Sequence, residues 1–432
     1  MNNLPSRAPR RGRRRLSATI VAVASAALLL SGCTSASNAA VDVPAMADGK
    51  LDDSTVLAIK DAVTTTMTGY GASGAIVGVW VPWSGQWVSG LGTVATGSDT
   101  KVTTDMSFRV GEVTRQMTCD ALYAMAEKNI VKLSDPITKY VIGVPNDKDI
   151  TLKMLCDGTS GIAPLPAAIT ADFLRTPDRQ WRPRELASFG LGSGVTNAPG
   201  EKFSDAGTGY LLLGLALEQA SGMSAQEYLS EYVFQPLGLS NTALPEAAPA
   251  KPTPAPALTG QILVKGADGA VNCAEPTNVT ELSASMGYTN AGATSTIEDL
   301  GKYTRAMAAE TLTGGKDSRF ADAPPINPNT SWYAAGGGSF IVGGLIGQMG
   351  QMPGYVTAAY SEPKTGLTVA VVLNGGGASR ATAQFLSWEI AALASKAPAA
   401  SGKTAPEFGL PFTAEQYATI LAGAATCPVP AK

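Results

Sequence analysis

Histidine is absent from all 432 residues. That absence excludes a Ser-His-Asp triad, a Cys-His pair, an HExxH metalloprotease and any histidine-ligated metal. Cysteine is sparse, at five residues, and no two stand in a CxxC spacing, so zinc is not expected. The apolar run at residues 16–30 is shorter than the ~20 residues that span a bilayer. Positive charge is also short. Six arginines and no acidic residue fall within residues 1–32, so residues 33–432 carry 26 basic against 35 acidic side chains, a net −9. An acidic body argues against nucleic acid as a partner and against polybasic docking on anionic lipid.

The basic stretch is Arg7, Arg10, Arg11, Arg13, Arg14 and Arg15. The apolar "LSATIVAVASAALLL" and then "LSGC" follow it. A basic region, an apolar region and small residues predict an export signal over 1–32. Arg14-Arg15 is a weaker match to a twin-arginine signal. The Leu-Ser-Gly-Cys ending resembles a bacterial lipobox, which implies a lipidated Cys33 and anchoring to the outer face of the cell membrane. Residues 33–52 are small and polar and read as a tether, 53–398 as the folded domain, and 399–432 as a C-terminal tail. With 45% hydrophobic types, the body is long enough for a large core or two packed subdomains. Cys119, Cys156, Cys273 and Cys427 remain after Cys33. An even number in an exported chain predicts two disulfides, with three pairings open; the alternative is that Cys119 and Cys156 are small buried apolar residues.

Apolar spacing predicts a helix over 54–68, and "GAIVGVWVP" with "GQWVSGLG" predicts a β-hairpin. Residues 114–130 read as a buried helix. The stretch 210–238 reads as two helices, ended by Gly222 and by Pro236 with Gly238. Residues 245–258 form a Pro/Ala-rich loop. A helix opens near Ser295 or Thr296, and "YVTAAYSEPKTGLTVAVVLNG" holds two β runs before a last helix at 382–398. Helix, strands, many helices, strands, helix is the order of a sheet assembled from both ends of the chain around a helical insertion.

Six stretches, in order, carry a family resemblance: "FRVGEVTRQ", "MAEKNIVKLSDPITKYVI", "LCDGTSGI", "PGEKFSDAGTGYLLLG", "STIEDLGKYTRAM" and "GQMGQMPGY". Together they resemble the serine beta-lactamase and D-alanyl-D-alanine carboxypeptidase superfamily, especially its class C and esterase-like branch, over roughly residues 54–398. The resemblance implies an α+β fold: an antiparallel sheet built from N- and C-terminal segments, flanked by helices, plus an all-helical subdomain. It also implies an active site whose reactive positions depart from the family pattern. Where members carry Ser-x-x-Lys, with serine as nucleophile and lysine one turn away as base, this chain has Glu112 and Arg115. Tyr-x-Asn becomes Asp205-Ala206-Gly207, and His-x-Gly or Lys-x-Gly becomes Gln348-Met349-Gly350. The backbone N–H near Gln351 stands where half an oxyanion hole is expected. Ser98…Lys101 and Ser361…Lys364 also spell Ser-x-x-Lys, but both lie in turns and neither opens a helix.

A carboxylate attacking an amide forms a high-energy anhydride, and an arginine stays protonated and cannot serve as base. The implied reading is a pseudoenzyme in which Glu112, Arg115, Asp205 and Gln348 converge, with Arg115 at the centre of a charge cluster. The alternative places Glu112 and Arg115 on a solvated helix surface. The resemblance further pairs Cys119 with Cys156, leaving Cys273 for Cys427. Function is expected to be binding of a wall peptide, a glycolipid or an envelope protein, without cofactor or metal. A hydrolase using a carboxylate base and a purely structural component are the competing expectations.

Overall fold

Strands whose successive residues face opposite buried layers form the centre of the molecule. The computed structural model describes residues 44–144, 150–246, 249–266, 269–313 and 318–427. The expected signal segment, Cys33 and the first part of the expected tether lie outside the described residues.

Helix α1 (Asp53–Tyr70) starts where the Asp52 carboxylate accepts the Thr55 N–H at 3.0 Å, and it ends on Gly71 at φ 67°. Strands β1 (Gly74–Val81) and β2 (Gly85–Gly92) form the expected hairpin. Between β2 and the later strands run α2 (Thr114–Glu127), α3 (Leu152–Asp157), α4 (Ile169–Arg175), α5 (Pro183–Gly192), α6 (Gly207–Ser221), α7 (Ala225–Leu229), α8 (Tyr288–Ala291) and α9 (Ile297–Ala308). Then come β3 (Tyr333–Gly336), β4 (Ser339–Val342), β5 (Leu345–Met352), β6 (Tyr355–Ser361) and β7 (Thr368–Leu373), followed by α10 (Arg380–Ala394) and α11 (Ala414–Gly423).

The seven strands make one antiparallel sheet in the order β2-β1-β7-β6-β5-β4-β3. Early and late parts of the chain meet where β1 pairs with β7, from Ala75 opposite Leu373 to Trp80 opposite Thr368. The architecture is α+β. Alternation sets the layers: Val77, Val79 and Val81 share a core with Ile59 and Val63 of α1 and Leu386 and Ile390 of α10, while Ile76 and Trp80 face the helical insertion. The Trp80 ring needs two glycines. A Cβ added to Gly78 of β1 or to Gly301 of α9 would fall 2.2 Å from it.

Residues 399–432 differ from the expected tail. They contain α11, whose Tyr417 and Leu421 are buried in the α1–α10 layer. Tyr417 stacks against Phe385, with ring centroids 5.2 Å apart. The Pro/Ala-rich loop is strapped down as well, since Leu258 donates its N–H to Ser107 at 2.9 Å. Both disulfides form as the resemblance implied: Cys119–Cys156 joins α2 to α3, and Cys273–Cys427 ties a loop to the segment after α11.

Helix α2 positions the site. Every residue from Thr114 through Tyr123 is buried, so the first ten residues of the helix have no solvent face. Burial on all sides obliges its polar members, Arg115, Gln116 and Asp120 among them, to find partners inside.

Candidate functional site

A single turn of 3-10 helix at Gly111–Val113 leads into α2 and puts Glu112 and Arg115 at the junction of sheet and helical lobe. Close backbone contact fixes that turn. A Cβ on Gly350 of β5 would lie 2.1 Å from the Val110 carbonyl, and one on Gly111 would lie 2.4 Å from the Gln351 nitrogen. Only glycine at both points lets β5 approach α2 this closely.

Four charged side chains form a chain across the site. Glu112 Oε2 accepts the backbone N–H of Gln351 at 2.6 Å, and Glu112 Oε1 faces Arg380 Nη1 at 3.4 Å. Arg380 Nη2 meets Asp205 Oδ2 at 2.6 Å, and Asp205 Oδ1 is ion-paired with Arg115 Nη1. Arg115 Nε donates to Asn290 Oδ1 of α8 at 2.8 Å. The Arg115 guanidinium also lies over the Tyr210 ring of α6, 4.8 Å from its centroid. Burial opposes the Asp205 charge, but Arg115 and Arg380 outweigh it and hold the carboxyl down at about 2. Burial likewise opposes the Arg115 charge, and Asp205 and then Glu112 overcome it, so this guanidinium is firmer in its charge than a free arginine.

The chain lines one side of an open cavity of about 430 Å³. Apolar side chains line it too: Leu165, Ile169, Phe173 and Leu174 from α4 and the loop before it, with Met286, Met352 and Pro353. This size falls within the usual range of about 300–1,000 Å³ for small-molecule sites. Among the described residues no group of three or more His, Cys, Asp or Glu is placed to hold a metal.

Arg115 is buried, at 4% exposure, so the solvated-surface alternative fails for it. Asp205 meets it as expected. Glu112 joins the network through Arg380 rather than by a direct ion pair with Arg115. Gln348 is a correction, because it does not converge on the cavity. It points to the same side as Gly350 but one pleat, about 6–7 Å, deeper along β5. There its Nε2 donates to the Gly338 carbonyl at 2.9 Å, and its Oε1 accepts the Met349 N–H at 3.0 Å. Gly207 makes room for an amide from elsewhere: a Cβ on it would fall 2.9 Å from Asn290 Nδ2. Arg380 and Asn290 are site residues that sequence reasoning missed. The cue for Arg380 was a cation in the first turn of a helix, where acidic residues are favoured. Ser361 is buried against Thr368 at 2.9 Å, and neither Ser98…Lys101 nor Ser361…Lys364 lines the cavity.

A second charge cluster lies deeper on α2. Arg319 Nη1 pairs with Asp120 Oδ1 at 2.8 Å, and the Tyr303 hydroxyl donates to Asp120 Oδ2 at 2.6 Å. Both ion-pair side chains are nearly inaccessible, at 2% and 5% exposure. Burial pushes the Asp120 carboxyl up, and Arg319 offsets only part of that.

An antiparallel sheet built from both chain ends, a helical lobe and a cavity at the N-terminus of the buried helix define a beta-lactamase and penicillin-binding-protein-like fold. Residues 59–392 match the Beta-lactamase family model, and the chain belongs to that family. It is 29% identical over 150 residues to the putative penicillin-binding protein PbpX of Bacillus subtilis, a match over 34% of this chain and 36% of that protein. It is also 29% identical over 159 residues to the D-alanyl-D-alanine-carboxypeptidase/endopeptidase AmpH of Escherichia coli, over 35% of this chain and 40% of AmpH. The chain therefore spans well under half the length of these curated relatives. Among solved structures, a D-stereospecific amidohydrolase from Streptomyces superimposes with a TM-score of 0.64 at 21% identity, covering 77% of this chain and 97% of that one. That likeness is one of fold.

Proposed function

We propose that this chain is a lipid-anchored protein of the cell envelope that binds a ligand in its cavity and does not hydrolyse it. One observation carries the reading. The Glu112 carboxylate, standing where the family resemblance expects the nucleophilic serine, sits 2.6 Å from the Gln351 N–H that would stabilise a reacting oxygen. The expected base position holds Arg115, which stays protonated and is bound to Asp205 and Asn290. No hydroxyl stands at the nucleophile position, and a cation stands where the base is expected. The open cavity supports binding over a purely structural role.

The carboxypeptidase/endopeptidase name of AmpH supports a second reading, a hydrolase with Glu112 or Asp205 as a general base for water; Glu112, though, already holds the Gln351 N–H and faces Arg380. Asp205 suits that role poorly. A general base is most effective with a pKa near the working pH, and this carboxyl is held at about 2 with both oxygens in ion pairs. Incubation of the purified protein with a fluorescent penicillin is expected to leave no stoichiometric covalent adduct, and nitrophenyl esters are expected to turn over no faster than in buffer. A labelled protein, or ester turnover abolished by Glu112→Gln or by Asp205→Asn, overturns the proposal.

Export and anchoring rest on the basic, apolar and Leu-Ser-Gly-Cys succession that ends at Cys33. Mass spectrometry of the membrane-extracted protein is expected to find acyl chains on Cys33 as the first residue, and Cys33→Ala is expected to release the protein from membranes. Unmodified Cys33 in a membrane-bound chain refutes the anchor.

A further inference from the structure

The charges facing the cavity cancel one another. Two guanidiniums, Arg115 and Arg380, are interleaved with two carboxylates, Glu112 and Asp205, and both Asp205 oxygens are held in ion pairs. The same cavity is also lined by hydrocarbon, from Ile169, Phe173, Leu174, Met286 and Met352. On the reading of the cavity as a binding site, we propose that its ligand is an uncharged amphiphile, an acyl or alkyl chain with a neutral hydrogen-bonding head, and that Glu112 sets this selectivity as a built-in carboxylate that keeps anions out.

A ligand carboxylate seeks backbone N–H groups and guanidinium. The cavity has both, at Gln351 and at the one-third-exposed Arg380 side chain, and Glu112 already holds them. An incoming anion has two routes, and each is costly. Beside Glu112 it places a third carboxylate against two guanidiniums in a partly desolvated site, where like charges repel strongly. In place of Glu112 it strips a side chain that is only 14% exposed of its hydrogen bond and its ion pair. A ligand cation fares no better, because the acceptors it needs are committed and Arg115 and Arg380 repel it. A neutral head escapes both penalties and finds the exposed Thr170 and Gln351 at the rim. The chain then supplies affinity by covering the apolar side chains of the lining, a contribution indifferent to the charge of the head.

Calorimetric titration of the full-length protein at neutral pH tests this with four ligands that share one ten-carbon chain: decyl glucoside, N-decanoylglycinamide, decanoate and decylammonium. The wild type is expected to bind at least one neutral ligand about tenfold or more tighter than either ion. The tighter of the two neutral ligands identifies a sugar or a peptide-like head. Glu112→Ala is expected to strengthen decanoate binding by about tenfold while changing the neutral ligands by less than about threefold, and adding Arg380→Ala is expected to remove that gain. Glu112→Gln, which keeps the side-chain shape, is expected to move decanoate in the same direction. Decanoate bound by the wild type as tightly as the neutral ligands, or left unchanged in both Glu112 variants, overturns the selectivity and leaves the binding reading standing. Failure of all four ligands to bind overturns both.

Discussion

Arg319→Ala is expected to lower the stability of the folded protein by about 3–5 kcal/mol, because it strips a fully buried carboxylate of its cation. Asp120 lies on the helix that carries the site, is 3% exposed, and keeps only the Tyr303 hydroxyl once Arg319 is gone. Removing the whole cluster tells a different story. Arg319→Met, Asp120→Leu and Tyr303→Phe together remove this ion pair along with the hydroxyl bonded to it, so most of the stability is expected to return. Urea unfolding of the two proteins measures both effects. A single variant within about 0.5 kcal/mol of wild type, the range of ordinary surface changes, contradicts the buried pair.

The second large effect is expected at the site. Arg115→Ala should cost about 2–3 kcal/mol, less than the loss of Arg319, because Asp205 keeps Arg380 at 2.6 Å. The Asn290 side-chain oxygen loses its donor at the same time. The pH dependence has a definite sign. The Asp205 carboxyl is lowered from its ordinary 3.8 to about 2, so its contribution is fully present above 3.8 and disappears as pH falls through about 2. The stability gap between wild type and Arg115→Ala is therefore expected to be constant from pH 7 down to about 4 and to narrow below that. A gap of unchanged size at pH 2 places the cost of the substitution in packing rather than in charge.

The sheet, its hairpin and both disulfide pairings were legible in the sequence, because six family-like stretches occur in order and β1 is a continuous β-rich apolar run bounded by turn residues. Glu112, Arg115 and Asp205 were legible for the same reason, since each falls inside a quoted stretch. Arg380 was not. It opens α10, outside every stretch, and its meaning depends on β5 and the turn before α2 bringing Gln351 and Glu112 beside the helix start. Asn290 sits on a four-residue helix, too short to show periodicity. Gln348 misled because alternation fixes the side of a sheet on which a residue lies but not its depth along the strand. Here one pleat separates the cavity from a backbone carbonyl that satisfies the amide. Helix α11 was overlooked because its apolar residues Tyr417 and Leu421 lie beyond the last family-like stretch.

The partnership of β1 with β7 bears on how the protein comes into being. Ala75 finds Leu373 only after nearly 300 further residues have emerged. Until then the early hairpin keeps an edge unsatisfied, and its valine-rich β1 offers that edge to any other extended chain. Such distant pairing is slow to assemble, so the hairpin stays open to wrong partners until β7 arrives to cover it.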